Sequence, residues 1–285
     1  MSRADLVMFG EDWGRHPTST QALAAELSRE RRVVWVNSVG LRRPRMTDAL
    51  RVVDKAWSCV FGARKAAANS PAQPDSTPEA IVSPLALPLP GNPVARQINP
   101  ILWRQSVGRK ASKLNMDRPI LWVSLPTALD ARKSIPHRAL VYYCGDDFAA
   151  LDGVDHGPVS AMEQELAEAA DLIVVSHKRL AAKFPANKTL HLPHGVSVAR
   201  FAGINAKRPA GWPLAGYLGL TERRTAFAAM ARASSARPDW RFELAGPVAV
   251  DAAAAVAKLT RRANVTLNGP VPAQDVPALF ARWTA

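Results

Sequence analysis

Short apolar runs alternate with amphipathic stretches along most of the chain. "DLVMF" (5–9), "RRVVWVN" (31–37), "PILWV" (119–123), "ALVYYC" (139–144), "DLIVV" (171–175) and "KTLHLP" (188–193) read as strands, and "AIVSPLALPLPGNP" as a short strand running into a proline-broken loop. Near-continuous apolar runs, rather than strict alternation, mark strands covered on both faces, as in a parallel sheet. Helical spacing separates them. Thr18 or Ser19 can cap a first helix with Leu23, Ala24 and Leu27 inside. Residues 94–114 and 157–170 carry two more helical rhythms. Residues 62–79 are rich in Pro, Ala and Ser and read as an exposed excursion. After Phe201, "AGINAKRPAGWP" reads as a linker, and the alternation restarts: "PLAGYLGL", helix 222–236, "DWRFELAG", helix 251–259, "NVTLNG", helix 274–283. The expected architecture is two tandem α/β units, 1–203 and 204–285, the second carrying only three strand–helix pairs.

Composition narrows the class. The chain of 285 residues is 48% hydrophobic and 21% charged, within the globular range. No apolar run reaches the roughly 18 residues that span a bilayer. The N-terminal segment lacks the apolar core of a signal peptide, and Cys59 and Cys144 fit no metal or redox spacing. These features predict a cytoplasmic protein with reduced thiols. Net charge is +13, from 37 Lys and Arg against 24 Asp and Glu. Such a balance favours phosphorylated ligands, polyanions or an anionic membrane face. The cations are scattered as pairs, with no zinc-finger spacing and no aromatic–basic RNA signature, so nucleic acid is not an expected partner.

In open α/β sheets, ligands bind outside the carboxyl ends of the strands. The polar groups follow that rule. The first strand runs into Asp12, Trp13, Gly14, Arg15 and His16; the second into Asn37, Ser38, Arg42 and Arg43. Later strands end in Ser124 and Thr127, in Gly145-Asp146-Asp147, in Ser176-His177, and in His194-Gly195. Single residues have plain structural alternatives: an Asx turn for Asp12, a helix cap for His16, turn chemistry for Asp146 and Asp147. Asp146-Asp147 has no third ligand at fixed spacing, so no metal site is expected. Glu163 and Glu165 point to different faces of their helix, one toward the cleft and at least one as plain surface. No G-x-G-x-x-G, G-x-x-x-x-G-K-[ST] or G-x-S-x-G occurs, against nicotinamide dehydrogenases, P-loop NTPases and α/β-hydrolases.

"KTLHLPHGVSVARF" resembles the hinge-proximal segment of GT-B glycosyltransferases of the family 4 type, and "MEQELAEAADLIVVSHKRLAAKF" resembles the elements before it. "GYLGL", "ARPDWRFELAGPV" and "NVTLNGPVPAQDVPALFARW" resemble, in order, the first half of their C-terminal domain. "DWGRHPTSTQALAAEL", "VVWVNSVGLRRPR" and "YYCGDDFAALDGVDHG" resemble a bacterial subgroup of surface-polysaccharide assembly. The resemblance implies two Rossmann-like domains facing across a cleft and metal-independent sugar transfer from a nucleoside diphosphate to a glycan or lipid-linked acceptor. No cofactor is implied beyond that co-substrate. It places the 10–16 loop near the donor diphosphate and acceptor, with Arg15 on phosphate. Asp146, Asp147 and His16 take the catalytic roles. Asp12, Trp13, Gly14, Asn37, Ser124, Ser176, His194 and Gly195 line the substrate. Gly219, Arg223 and Arg224 lie on the donor side. Many relatives carry a histidine where this chain has Gly145-Asp146-Asp147, and by that resemblance either aspartate would orient a sugar hydroxyl or steady an oxocarbenium charge.

One departure stands out. The family's C-terminal domain carries an E-x-x-x-x-x-x-x-E pair that grips the donor; after residue 211 this sequence has only Glu222 and Glu243. The expectation is therefore a shortened transferase whose activity is impaired, with a non-catalytic sugar-nucleotide-binding or membrane-surface subunit as the alternative. A basic surface would suit peripheral contact with the inner face of the cell membrane.

Overall fold

The computed structural model describes residues 3–15, 18–41, 76–151, 153–196, 198–202 and 211–285. His16, Arg42, Arg43, Cys59 and most of the expected 62–79 excursion lie outside them. The chain divides into two compact units, Met1–Gly195 and Val196–Ala285.

The first unit is built on a seven-stranded sheet: β1 (Leu6–Phe9), β2 (Val33–Val36), β3 (Ala80–Val82), β4 (Ile120–Val123), β5 (Ala139–Cys144), β6 (Leu172–Val175) and β7 (Thr189–His191). The order is β3-β2-β1-β4-β5-β6-β7, and every pairing is parallel. The apolar runs are explained by burial on both faces. Val7, Phe9, Val34, Val36, Leu121, Val123, Tyr142 and Ile173 share one core. The alternate positions Leu6, Met8, Val33, Trp35, Trp122, Val141 and Tyr143 fill the other.

Helix α1 (Ser19–Leu27) is capped by Thr18, whose Oγ1 accepts from the Gln21 N–H at 3.2 Å. The rhythm at 94–114 is realised in pieces: α2 (Pro93–Trp103), a π turn (Arg104–Gly108) and α3 (Arg109–Lys113). Pro100 lies inside α2, where it has no N–H to donate to the preceding turn. A 3₁₀ segment, Pro126–Lys133, follows β4; α4 (His156–Ala169) and the short α5 (Lys178–Ala181) flank β6. Arg96 of α2 clamps these elements. Its guanidinium donates to Asp130 (3.0 and 3.2 Å) and to Glu165 (2.7 Å twice). Glu165 is therefore not plain surface, as the spacing alone suggested of one of the two glutamates.

The second unit opens with α6 (Val198–Phe201) and carries a parallel three-stranded sheet, β8 (Leu214–Leu218), β9 (Arg241–Ala245) and β10 (Val265–Gly269), in the order β10-β9-β8. Helices α7 (Phe227–Ala236) and α8 (Ala253–Leu259) lie between the strands in sequence, and α9 (Val276–Arg282) follows β10. These helices start later than the sequence spacing suggests, because Glu222–Thr225, Val250–Ala252 and Ala273–Asp275 form turns first. One face of the sheet packs Phe242, Leu244 and Val265 against Phe227, Met230 and Leu259. On the other, Glu243 is buried and accepts from Trp283 Nε1 (2.8 Å), Arg282 (2.7 Å) and Asn268.

Candidate functional site

Because every strand of the large sheet is parallel, all its carboxyl ends share one edge. The strand order turns back between β1 and β4, so the loops after those two strands flank a crevice. The β1 loop is fixed from several sides. Gly10 packs on the fully buried Trp35, and a Cβ there would overlap the indole ring. Trp35 Nε1 donates to the Glu11 carbonyl at 3.0 Å, and Trp13 meets the same indole edge-on at 5.0 Å. Asp12 Oδ1 accepts from the Ser38 N–H (3.2 Å) and hydroxyl (2.8 Å). Asn37 Oδ1 accepts from the Trp13 N–H at 2.9 Å, while Asn37 Nδ2 donates to Ser83 Oγ at 2.8 Å. Gln21 Oε1 accepts from Gly14 N–H at 3.0 Å, where φ of +76° suits glycine. Asp12 and Asn37, expected on substrate, thus serve as latches of the loop. Arg15 is exposed at its tip.

Ser124, the first residue after β4, is buried and its hydroxyl accepts from Trp122 Nε1 at 3.2 Å. Ser176 is buried too, its hydroxyl donating to the Gly145 carbonyl at 2.8 Å. Both position the rim rather than face outward. Asp146 is exposed. His194 and Gly195 are exposed after β7, on the same edge as the β1 loop but four strand positions away. At about 4.8 Å per strand that is roughly 19 Å, whereas β5 is about 10 Å from β1. The rim therefore has a compact group at β1, β4 and β5, and a separate one at β7. In the second unit, Gly219 follows β8 and faces Gly246, whose φ is +136° and where a Cβ would overlap the Gly219 carbonyl. Arg223 and Arg224 are exposed nearby, and Arg224 Nε donates to Glu222 at 2.7 Å.

The β5 end holds a polar network that sequence reasoning found only in part. Glu163 of α4 is buried. Its Oε1 accepts from Tyr142 hydroxyl at 2.6 Å and lies 3.8 Å from Cys144 Sγ. Lys183 Nζ donates to Glu163 Oε2 and to Asp147 Oδ1, both at 3.0 Å. The Lys183 hydrogen bond holds the Asp147 carboxyl below its ordinary value. Burial pulls Lys183 down, but its bonds to Asp147 and Glu163 outweigh that and raise it. Burial pushes the Cys144 thiol up to about 12 and the Tyr142 phenol well above its ordinary value. Asp147 is thereby a fixed carboxylate, fit to accept from hydroxyls or face a cation and unfit as a proton donor. Glu163 was legible as one of a pair, since it stands four residues after Val159 and three before Leu166, on the apolar face. Lys183 was missed: nothing in "KRLAAKF" distinguishes it from a solvated lysine.

No protein-family model matches the chain, and no curated protein matches it. Its fold does match solved structures. Over 99% of this chain and 72% of the other, it aligns with Anabaena Alr3699/HepE in complex with UDP and glucose, at 13% identity and a TM-score of 0.58. TarM aligns over 94% of this chain and 77% of its own, at 9% identity and a TM-score of 0.52. OtsA aligns over 94% and 74%, at 12% identity and a TM-score of 0.50. At such identities the likeness establishes fold alone: the chain is an α/β protein of the two-domain, Rossmann-like GT-B type.

Proposed function

We propose that the protein is a glycosyltransferase of the family 4 type that moves a sugar from a nucleoside diphosphate to a glycan or lipid-linked acceptor at a membrane face. The observation that carries this reading is the built rim at the strand-order reversal. From there a latched β1 loop ends in the exposed Arg15, and two strand positions along the same edge the β5 end presents an ionised Asp147, in a fold shared with a UDP- and glucose-bound protein. Arg15 would neutralise phosphate without a metal; taken by itself, the second unit offers Arg223 and Arg224 as its own candidate phosphate contacts. Asp147 would steady positive charge on the sugar, and Asp146 would orient a hydroxyl. His16, outside the described residues, belongs to the same loop.

Calorimetric titration with UDP, GDP and their sugars, followed by nucleotide-release assays with a glycan acceptor pool, tests the reading. Arg15→Ala should weaken diphosphate binding about tenfold, as expected for one charge-assisted contact. Asp147→Asn should preserve binding and lower turnover. No binding of any nucleotide would refute the proposal. A non-catalytic nucleotide-binding role is favoured by one observation: Glu222 is paired with Arg224, and Glu243 is buried beneath Trp283 and Arg282, so neither is placed to grip a sugar. Binding without nucleotide release in any acceptor pool would decide for that role.

A further inference from the structure

Helix α2 carries a second apolar face, turned outward. Ala95, Asn99, Pro100 and Trp103 face the core, and Arg96 reaches in to its two carboxylates. Asn99 is buried, and its amide binds the Leu87 N–H (2.7 Å) and carbonyl (3.1 Å), fixing the preceding segment to the helix. The opposite face presents Val94 at 58%, Ile98 at 37% and Ile101 at 58% exposure, one stripe at spacings of four and three. On the segment leading into the helix, Leu85 is 53% exposed. An ordinary surface helix is polar on its outer face, and nothing in the packing of α2 requires its stripe to be apolar.

The charge beside the stripe points to the partner. The same helical rod continues with Arg104, Arg109, Lys110 and Lys113, and no Asp or Glu occurs between Ala80 and Met116. Arg104, Arg109 and Lys113 are exposed, whereas Arg96 is committed inward. We propose that the outer face of residues 93–113 docks on an anionic lipid bilayer, with Val94, Ile98 and Ile101 entering the boundary between headgroups and acyl chains and the following cations meeting lipid phosphates. A second copy of this chain is a poor occupant, because a protein of net charge +13 would oppose one acid-free cationic surface with another. The inference rests on the membrane contact of the proposed function and supplies its surface; sugar transfer itself is not needed for it.

The test is co-sedimentation of the full chain with vesicles of phosphatidylcholine alone or with phosphatidylglycerol added. The wild type should bind the anionic vesicles, release as salt rises, and leave the neutral ones. Val94→Ser/Ile98→Ser/Ile101→Ser and Arg104→Gln/Arg109→Gln/Lys113→Gln should each lower partitioning about tenfold or more. UDP calorimetry on the same proteins should be unchanged, which separates failure of the docking surface from failure of the nucleotide reading. Hydrogen exchange on the wild type gives a second measure that needs no variant: amides of 93–113 should slow when anionic vesicles are added. No binding to anionic vesicles, equal binding by the apolar-stripe variant, unchanged exchange over 93–113, or a lipid-free oligomer that the stripe variant dissociates would overturn the proposal.

Discussion

Lys183→Met isolates the network at the end of β5. Methionine keeps the aliphatic stem and removes the ammonium that bridges Glu163 and Asp147. The two contacts are unequal. The Glu163 side chain is 6% exposed and the Asp147 side chain 48%. Breaking a buried ion pair by deleting one partner costs about 3–5 kcal/mol, because the remaining charge is stranded. Lys183 itself is 30% exposed, so water compensates in part and about 2 kcal/mol is the expected loss. Asp147→Asn removes only the exposed contact and should cost about 0.5 kcal/mol. In the double variant Lys183→Met/Glu163→Gln, the neutral amide still accepts from Tyr142 and strands no charge. That double variant should be about 1 kcal/mol or more better than the sum of its singles. Hydrogen exchange of β5 and α4 amides at pH 7 reads the first unit without interference from the second. Equal losses for Lys183→Met and Asp147→Asn, or strict additivity in the double variant, would refute the account of Lys183 as the counter-ion of a buried glutamate.

Three further outcomes follow from neighbouring features. Glu165 is held below its ordinary 4.5 by its hydrogen bonds to Arg96, and Asp147 below 3.8 by Lys183. Depressed carboxyls contribute stability that is whole above their ordinary values and is lost as pH falls through the native ones. Urea midpoints for the first unit should thus be flat from neutrality to about pH 5 and fall below pH 4, and Arg96→Met should flatten that acid limb. In a Cys59→Ser background, Cys144 should react with a thiol reagent at pH 8 about a thousandfold more slowly than in urea, since its thiol is pushed up to about 12; rapid labelling of the native protein would show the β5 end to be open. Gly10→Ala should destabilise the first unit by about 1–3 kcal/mol through overlap with Trp35 and should weaken nucleotide binding through the displaced β1 loop; a thermal midpoint at the wild-type value would count against the tight packing there.

How much was legible depended on the range of the interaction. The strands were readable because burial on both faces leaves a local mark, a run such as "VVWV" or "LIVV" that no exposed segment needs. Strand ends followed at once, and with them the set of polar groups on the shared edge. Partners were not readable, because pairing across the sheet edge leaves no periodicity. Asp12 and Asn37 carry the chemistry of ligand contacts, yet Ser38, Ser83 and a backbone amide of the loop take up their hydrogen bonds. Lys183 looked like solvent-facing charge until the fold brought Glu163 beneath it.

The same distinction bears on the reading of function. A latch and a ligand contact use the same residue types, so residue identity at a strand end selects a location without assigning a role. Burial and partners divide the rim. Asp12, Asn37, Ser124 and Ser176 spend their polar atoms inside the protein; Arg15 and Asp146 stand outward; Asp147 does both, tied to Lys183 while still half exposed. Catalytic groups need that third condition, a fixed position together with an open face. If variants are ranked by it, Asp147→Asn should lower turnover with little loss of stability, whereas Asp12→Ala should lower both together. A turnover defect in Asp12→Ala at unchanged stability would move Asp12 from the latch to the chemistry, and the ordering of the rim proposed here would have to be reversed.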